Sequence, residues 1–347
     1  MNTVLTLQVI RLIITVVFSF LLALFFTPLL TNFLEHYRLV KRVERENVPI
    51  FTKLHKKKEG TPTMGGILVW GTVVIVMLLF LLISKLGKGT YLEQLNFFSR
   101  KETLLPLGAM LVSAFLGLID DVFGILRIGA RKGGLRVREK VILYTLVAGF
   151  CAWWFYIKLE WDLIKIPFLG NFYLGFWYVP VFIFIIVASA FSTNETDGLD
   201  GLAGGVLMIA FIALGLIAFT QGKVDLAAFC GAIIGALLAF LWYNIYPARF
   251  FLGDTGSMGL GVTLGIITML TNATLLLPFI SFVLVLESFS VILQVANKKL
   301  FGRKLFLSTP IHHHFEAKGW HETKVTMRFW IIAGVMAAIG LIIYLLG

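Results

Sequence analysis

Charge is scarce in this 347-residue chain. Asp, Glu, Lys and Arg make up 14% of it, where a soluble domain of this size carries about a quarter. That shortage, with 59% hydrophobic residues, excludes an ordinary soluble enzyme. Cysteine is nearly absent: Cys151 and Cys230 stand alone, each inside an apolar run, which excludes a disulfide scaffold or a thiolate metal centre and predicts buried thiols. No Gly-x4-Gly-Lys-Ser/Thr loop occurs, so a P-loop ATPase is unsupported. Dyad alternation is missing, which argues against a transmembrane barrel. There is no low-complexity linker and no detectable repeat, so residues 1–347 read as one integral-membrane domain.

What is present is a series of apolar runs of membrane-spanning length. Ten are expected, at 7–34, 63–84, 103–119, 141–157, 176–192, 202–219, 226–246, 258–271, 274–296 and 327–346, giving an all-α polytopic protein. The first is too long for a signal-peptide core and lacks a small-residue cleavage site, so it reads as a retained span. The net charge of +11 does not point to nucleic acid, because most of the 30 Lys and Arg fall in alternate loops. The positive-inside rule puts those loops in the cytoplasm and both termini on the outer, periplasmic side. Basic stretches such as Lys56-Lys57-Lys58 also suit anionic headgroups. Residues 158–175, with Trp161, Pro167, Gly170 and several β-formers, suggest a short hairpin at the outer interface.

The acids gather where runs end. Asn194-Glu-Thr-Asp-Gly-Leu-Asp-Gly201 is a polar knot between two uncharged runs. A carboxylate inside hydrocarbon costs roughly 2.5–3.5 kcal/mol on insertion scales, so the knot belongs at a membrane surface or a wet cavity. Asp197 and Asp200 are spaced to share one helix face. Asp120 and Asp121 close the third run; adjacent helix positions differ by about 100°, so the two point different ways, leaving one free to face a ligand and the other to hold a neighbouring cation or a second metal position. Asp254 follows a glycine at the start of the eighth run. All five aspartates fall on the side given to the basic loops. Thr61-Pro-Thr-Met-Gly-Gly66 opens the second run in a form that allows close backbone packing or a phosphate contact. Phe251 offers a face for a nucleobase, whereas Trp242 and Tyr246 read as an interface belt. Glu287 is an intramembrane acid, open to function or to pairing within the bundle. Three consecutive imidazoles, His312, His313 and His314, cannot all face one metal on a regular helix. Zinc therefore fits them poorly, and they suit donation to phosphate or sugar oxygens better. Hard carboxylates with phosphate imply Mg²⁺, and the set suggests phosphoryl transfer to a membrane-held acceptor.

Thr-Pro-Thr-Met-Gly-Gly, Asp-Asp, Asn-x-x-Asp-Gly-x-Asp-Gly, Gly-Asp-x-Gly-Ser and Pro-x-His-His-His-x-Glu occur in this order. Together they resemble the phospho-N-acetylmuramoyl-pentapeptide-transferases, the bacterial lipid I synthases of the polyprenyl-phosphate N-acetylhexosamine-1-phosphate transferase superfamily. The resemblance covers nearly the whole chain. It implies a homodimeric enzyme of ten helices in the bacterial inner membrane with its active site facing the cytoplasm. Such an enzyme moves phospho-MurNAc-pentapeptide from UDP-MurNAc-pentapeptide to undecaprenyl phosphate with Mg²⁺, releasing UMP, as part of peptidoglycan and cell-wall synthesis. By the same resemblance Asp254 is the Mg²⁺ ligand, and Asp120, Asp121 and Asp197 are further catalytic acids, Asp120 being the base in one scheme. Asp200, Asn244, Phe251 and Gln294 line the nucleoside pocket. Lys58, Thr63, Lys132, Lys140, Asn194 and His312 to His314 ring the diphosphate and sugar. Glu195 and Val122 depart from the family pattern beside these motifs. Two alternatives remain at this stage: a transferase of the same superfamily acting on GlcNAc-1-phosphate, and a proton-coupled transporter or lipid flippase.

Overall fold

The computed structural model describes residues 3–40, 58, 60–100, 102–129 and 134–347. These residues are mostly helical. In chain order the helices are α1 (Thr3–His36), α2 (Gly66–Leu86), α3 (Leu104–Leu126), α4 (Val137–Trp153), α5 (Tyr178–Thr196), α6 (Leu202–Thr220), α7 (Val224–Asn244), α8 (Gly253–Leu270), the short α9 (Leu277–Ile280), α10 (Phe282–Phe301), α11 (Ile311–Ala317) and α12 (Glu322–Leu346). The α4 helix runs on through one π turn to Lys158. The expected hairpin is present: β1 (Leu163–Ile166) pairs antiparallel with β2 (Gly170–Tyr173), Leu163 opposite Tyr173. Cys151 and Cys230 are free and buried, as their apolar settings required.

Among the described residues, eight helices are long and apolar enough to cross a membrane, or nine if a bent pair counts as one span. Two of the ten expected runs explain the difference. Residues 274–296 form no straight rod, because the segments Thr274–Ile280 and Phe282–Phe301 meet at 88°. The α8 helix, rich in Gly, Ser and Thr, falls outside the eight, yet every one of its 18 residues is buried. It is the axis around which α3, α5 and α2 pack.

Small residues permit that packing. In lipid, helices associate through close van der Waals approach instead of water exclusion, and small side chains let backbones meet. A Cβ on Gly117 of α3 would collide with the carbonyl of Asp254, and one on Gly261 would meet the backbone of Ala190 at 2.7 Å. So α3 and α5 lie directly against α8. The ends of these helices that carry acids are brought to one end of the bundle. The opposite end is tied by polar contacts of its own, including Arg11 to Asp225 at 2.6 Å and Lys165 N–H to Asn272 at 2.9 Å.

Candidate active site

Three carboxylates from different helices converge on the N-terminus of α8. Gly253 takes φ +76°, a conformation open to glycine at little cost, and the turn presents the first amides of α8 outward. The Gly253 N–H donates to Asp197 Oδ2 at 3.1 Å, and the Thr255 N–H donates to Asp121 Oδ2 at 3.0 Å. Asp254 itself sits in the first helical turn. A helix N-terminus carries a partial positive charge and unpaired amides, so the backbone supplies part of the neutralisation that buried carboxylates need. Thr63, brought in by the turn before α2, approaches Asp121 at 3.4 Å.

Lys140 supplies the rest. It lies in the first turn of α4, where a helix dipole disfavours a cation, so its place must come from its partners. Its ammonium stands 2.8 Å from Asp120 Oδ2 and 2.5 Å from Asp254 Oδ1. The other Asp120 oxygen accepts the Leu135 N–H at 2.5 Å. Asn194 donates from one amide nitrogen to Asp254 Oδ1 at 2.6 Å and to Ser257 Oγ at 3.0 Å. Asp120 and Asp121 thus diverge, as neighbours on a helix must: one pairs with a cation, the other braces α8.

A second cluster adjoins the first. Asp200 pairs with Lys58 at 2.7 Å and accepts the Ala248 N–H at 3.0 Å. Lys58 also contacts Glu322 and lies 5.8 Å from the ring centroid of Phe251. Burial opposes the Lys58 charge, but Glu322 and Asp200 outweigh it and lift its pKa above the ordinary 10.5. Phe251 is half-buried, leaving a ring face beside this cluster.

The histidine run divides. The Nε2 atoms of His312 and His313 both point toward Gly198, next to Asp197. His312 Nδ1 is paired with Glu287 at 3.0 Å, both side chains wholly buried, and His313 Nδ1 with Glu316 at 2.7 Å. His314 turns away and accepts the Leu307 N–H at 3.1 Å. Its desolvation and then Lys318 hold its pKa below the usual histidine value. Gln294 likewise serves the loop before α11, bonding Leu305 and Phe306 at 2.9–3.0 Å. Asn244 accepts from the Gly201 N–H at 3.0 Å and donates to the Phe250 carbonyl at 2.8 Å. These last three shape the walls of the site through the backbone. Lys132 lies outside the described residues.

Sequence reasoning passed over Glu322 and Thr255, and held Ser257 only as the last member of the Gly-Asp-x-Gly-Ser motif. Glu322 carried a usable signal, being an acid at the start of a long apolar run.

Residues 103–272 match the model of glycosyl transferase family 4, in a chain whose described residues hold eight or nine candidate membrane spans. That stretch holds Asp120, Asp121, Asn194, Asp197, Asp200 and Asp254 but neither Lys58 nor the histidines. Phospho-N-acetylmuramoyl-pentapeptide-transferases from Clostridium perfringens strain 13 and Clostridium kluyveri are 36% and 37% identical over 330 and 336 residues. Each alignment covers 95% of this chain and 97–98% of the relative. The enzyme of the same name from Chloroflexus aurantiacus is 37% identical over 336 residues, 93% of this chain and 86% of its own. The chain belongs to the phospho-N-acetylmuramoyl-pentapeptide-transferase family.

Proposed function

We propose that this protein transfers phospho-MurNAc-pentapeptide from UDP-MurNAc-pentapeptide to undecaprenyl phosphate, forming lipid I and UMP for peptidoglycan synthesis. The observation that carries the reading is the gathering of Asp120, Asp121, Asp197 and Asp254 around the N-terminus of α8, with Lys140 between two of them. Family membership supplies the substrates. The excess of Lys and Arg in alternate loops supports a reading in which this end of the bundle faces the cytoplasm at a bacterial inner membrane and both termini lie outside, and the assembly is read as a homodimer.

The donor set suits Mg²⁺. Hard carboxylate oxygens gather at the α8 N-terminus, and Mg²⁺ typically takes one or two carboxylates and completes its shell with phosphate and water. Among the described residues no three His, Cys, Asp or Glu side chains form a ready cage. Asp254 would hold the ion. Bound there, it would neutralise the diphosphate and stabilise the departing UMP.

In this reading an oxygen of the lipid phosphate attacks the β-phosphorus. A new P–O bond forms to the lipid, the bond to the bridging oxygen breaks, and UMP leaves with the electron pair. Positioning and electrostatics carry such a transfer. Lys140 offers a cation to the phosphates from between Asp120 and Asp254. His312 and His313 face the Asp197–Gly198 turn, where they orient sugar or phosphate oxygens. The acceptor phosphate has a second pKa near ~6 and is largely ionised already, so little is asked of a base. Asp120, with Leu135 on one oxygen and Lys140 on the other, serves to place Lys140. Phe251 stacks the uracil beside Lys58.

Purified protein in detergent, given labelled UDP-MurNAc-pentapeptide, undecaprenyl phosphate and Mg²⁺, should release UMP and form a lipid-linked product. UDP-GlcNAc offered in its place should not react. Preference for UDP-GlcNAc would move the chain to the sister specificity. Activity without any ion gradient is not expected of a transporter. Trapping a phosphorylated enzyme with donor alone would replace direct attack by a two-step route through an aspartyl phosphate.

A further inference from the structure

Three side chains of α12 that belong to no motif grip the acidic turn. Glu322, Thr326 and Trp330 recur every four residues and so lie along one helix face. Glu322 accepts the Asp200 N–H at 2.6 Å. Thr326 Oγ1 donates to the Asp200 carbonyl at 3.2 Å, and the Trp330 indole N–H donates to the Gly201 carbonyl at 3.1 Å. Glu322 and Thr326 are 8% and 3% exposed. The Trp330 ring lies flush on Gly205, where a Cβ would run into the indole.

Within the turn they hold, the Gly198 N–H donates to the Thr196 carbonyl at 2.9 Å and the Leu202 N–H to the Leu199 carbonyl at 3.1 Å. Gly201 is the N-cap of α6, at φ +77°, with no side chain to cap the helix. Its own N–H goes to Asn244 of α7, while its carbonyl and both backbone groups of Asp200 are held by α12. From that turn the Asp200 carboxylate reaches Lys58 and the Ala248 N–H, and Lys58 lies over Phe251. Glu322 closes the loop by contacting Lys58 directly. A continuous path thus runs from the last membrane helix, through one turn, to the aromatic face and the cation assigned to the nucleotide.

We propose that Glu322, Thr326 and Trp330 are positioning residues for the uridine-nucleotide end of the site, acting through Asp200 and Lys58. The inference rests on the transferase reading above and adds a division of labour. The α8 N-terminus serves the chemistry and the α12 face sets donor affinity. Ordinary helix packing would make the same three residues matter for stability alone.

The test uses the full chain in detergent with Mg²⁺. Glu322→Gln removes the charge that Lys58 meets, Thr326→Val removes the hydroxyl, and Trp330→Phe removes the indole N–H while keeping a ring. Each loss of a buried hydrogen bond should raise the donor KM roughly 3- to 10-fold, more for Glu322→Gln because the bond is to a charged group. The KM for undecaprenyl phosphate and kcat should stay within about twofold, within the scatter expected of sites that do not touch. UMP titration, read as protection against thermal unfolding with no acceptor present, should shift to higher UMP by the same factor. Unchanged donor KM and unchanged UMP titration in folded variants would overturn the proposal. So would an equal effect on donor KM, lipid KM and kcat. If the wild type binds UMP but transfers nothing, the transferase reading fails and the UMP titration still judges the α12 face. A wild type that does neither overturns both.

Discussion

Replacing Lys140 by Met isolates the ammonium, since the side chain keeps similar length and apolar bulk. In the wild-type protein that ammonium lies 2.8 Å from Asp120 and 2.5 Å from Asp254, carboxyl groups only 1% and 5% exposed. At an effective dielectric near 20, one such attraction at about 4 Å is worth about 4 kcal/mol. Removing one member of a buried ion pair costs about 3–5 kcal/mol in measured cases. Two carboxylates left facing one another relieve part of this by taking up a proton. The variant should therefore unfold at a lower temperature at neutral pH, and its deficit should shrink as pH falls, because a proton then does what the ammonium did. A loss of about 3 kcal/mol at the transition state corresponds to roughly 100-fold in kcat/KM. Thermal unfolding of detergent-purified protein between weakly acidic and neutral pH, beside the UMP-release assay, reads both effects. If Lys140→Met matches the wild type in unfolding temperature at every pH and keeps its activity, Lys140 does not neutralise this pair.

Three further outcomes are expected. Gly253→Ala should abolish turnover and lower stability: at φ +76° a Cβ would meet Asp121 Oδ2 and Thr63 Oγ1 at 2.7 Å and the Met64 amide at 2.9 Å, and activity with unfolding temperature checks it. His312→Ala should lose transfer by at least about tenfold, a modest share of what a positioned donor contributes, whereas His314→Ala should stay within about twofold, since His314 faces the Leu307 amide; equal losses would contradict the division seen in α11. The Lys58 clamp should not respond to pH across neutrality. Its folded pKa is raised, so its stabilisation is fully present below 10.5 and is lost only as pH climbs through the higher folded value. A donor KM that rises between pH 7 and pH 9 in step with Lys58 deprotonation, by a titration absent from Lys58→Met, would refute this.

The acids were legible in the sequence because a carboxylate at the end of an uncharged run has few inexpensive explanations. The divergence of Asp120 from Asp121 follows from helix rotation, but which imidazoles of the run turn together was not legible: His312 and His313 both face Gly198 while His314 meets the Leu307 N–H. The weight borne by α8 was harder to read. Hydropathy averages its Gly, Ser and Thr into a middling span and is blind to what surrounds it, so the central helix looks like the weakest one. The 88° break between α9 and α10 had a signal in Pro278, which a helix interior does not tolerate, and in the polar Ser281, but the apolar residues around them let 274–296 read as one run. Glu287 announced itself as an acid within an apolar run, but its partner, His312, lies 25 positions on. Glu322 stood out as an acid at the start of an apolar run, whereas Thr326 and Trp330 were hidden because a few polar groups at the head of an apolar helix are what any membrane interface shows.

The central claim is that a carboxylate at the start of α8 sits where the diphosphate reacts. Asp254→Asn keeps the size and an oxygen acceptor for Lys140 and Asn194 while removing the charge. In the detergent assay with UDP-MurNAc-pentapeptide, undecaprenyl phosphate and Mg²⁺, UMP release should fall by at least about 100-fold, the scale of losing one preorganised electrostatic contact, with the unfolded fraction unchanged. Turnover close to that of the wild type in a folded Asp254→Asn protein would contradict the account.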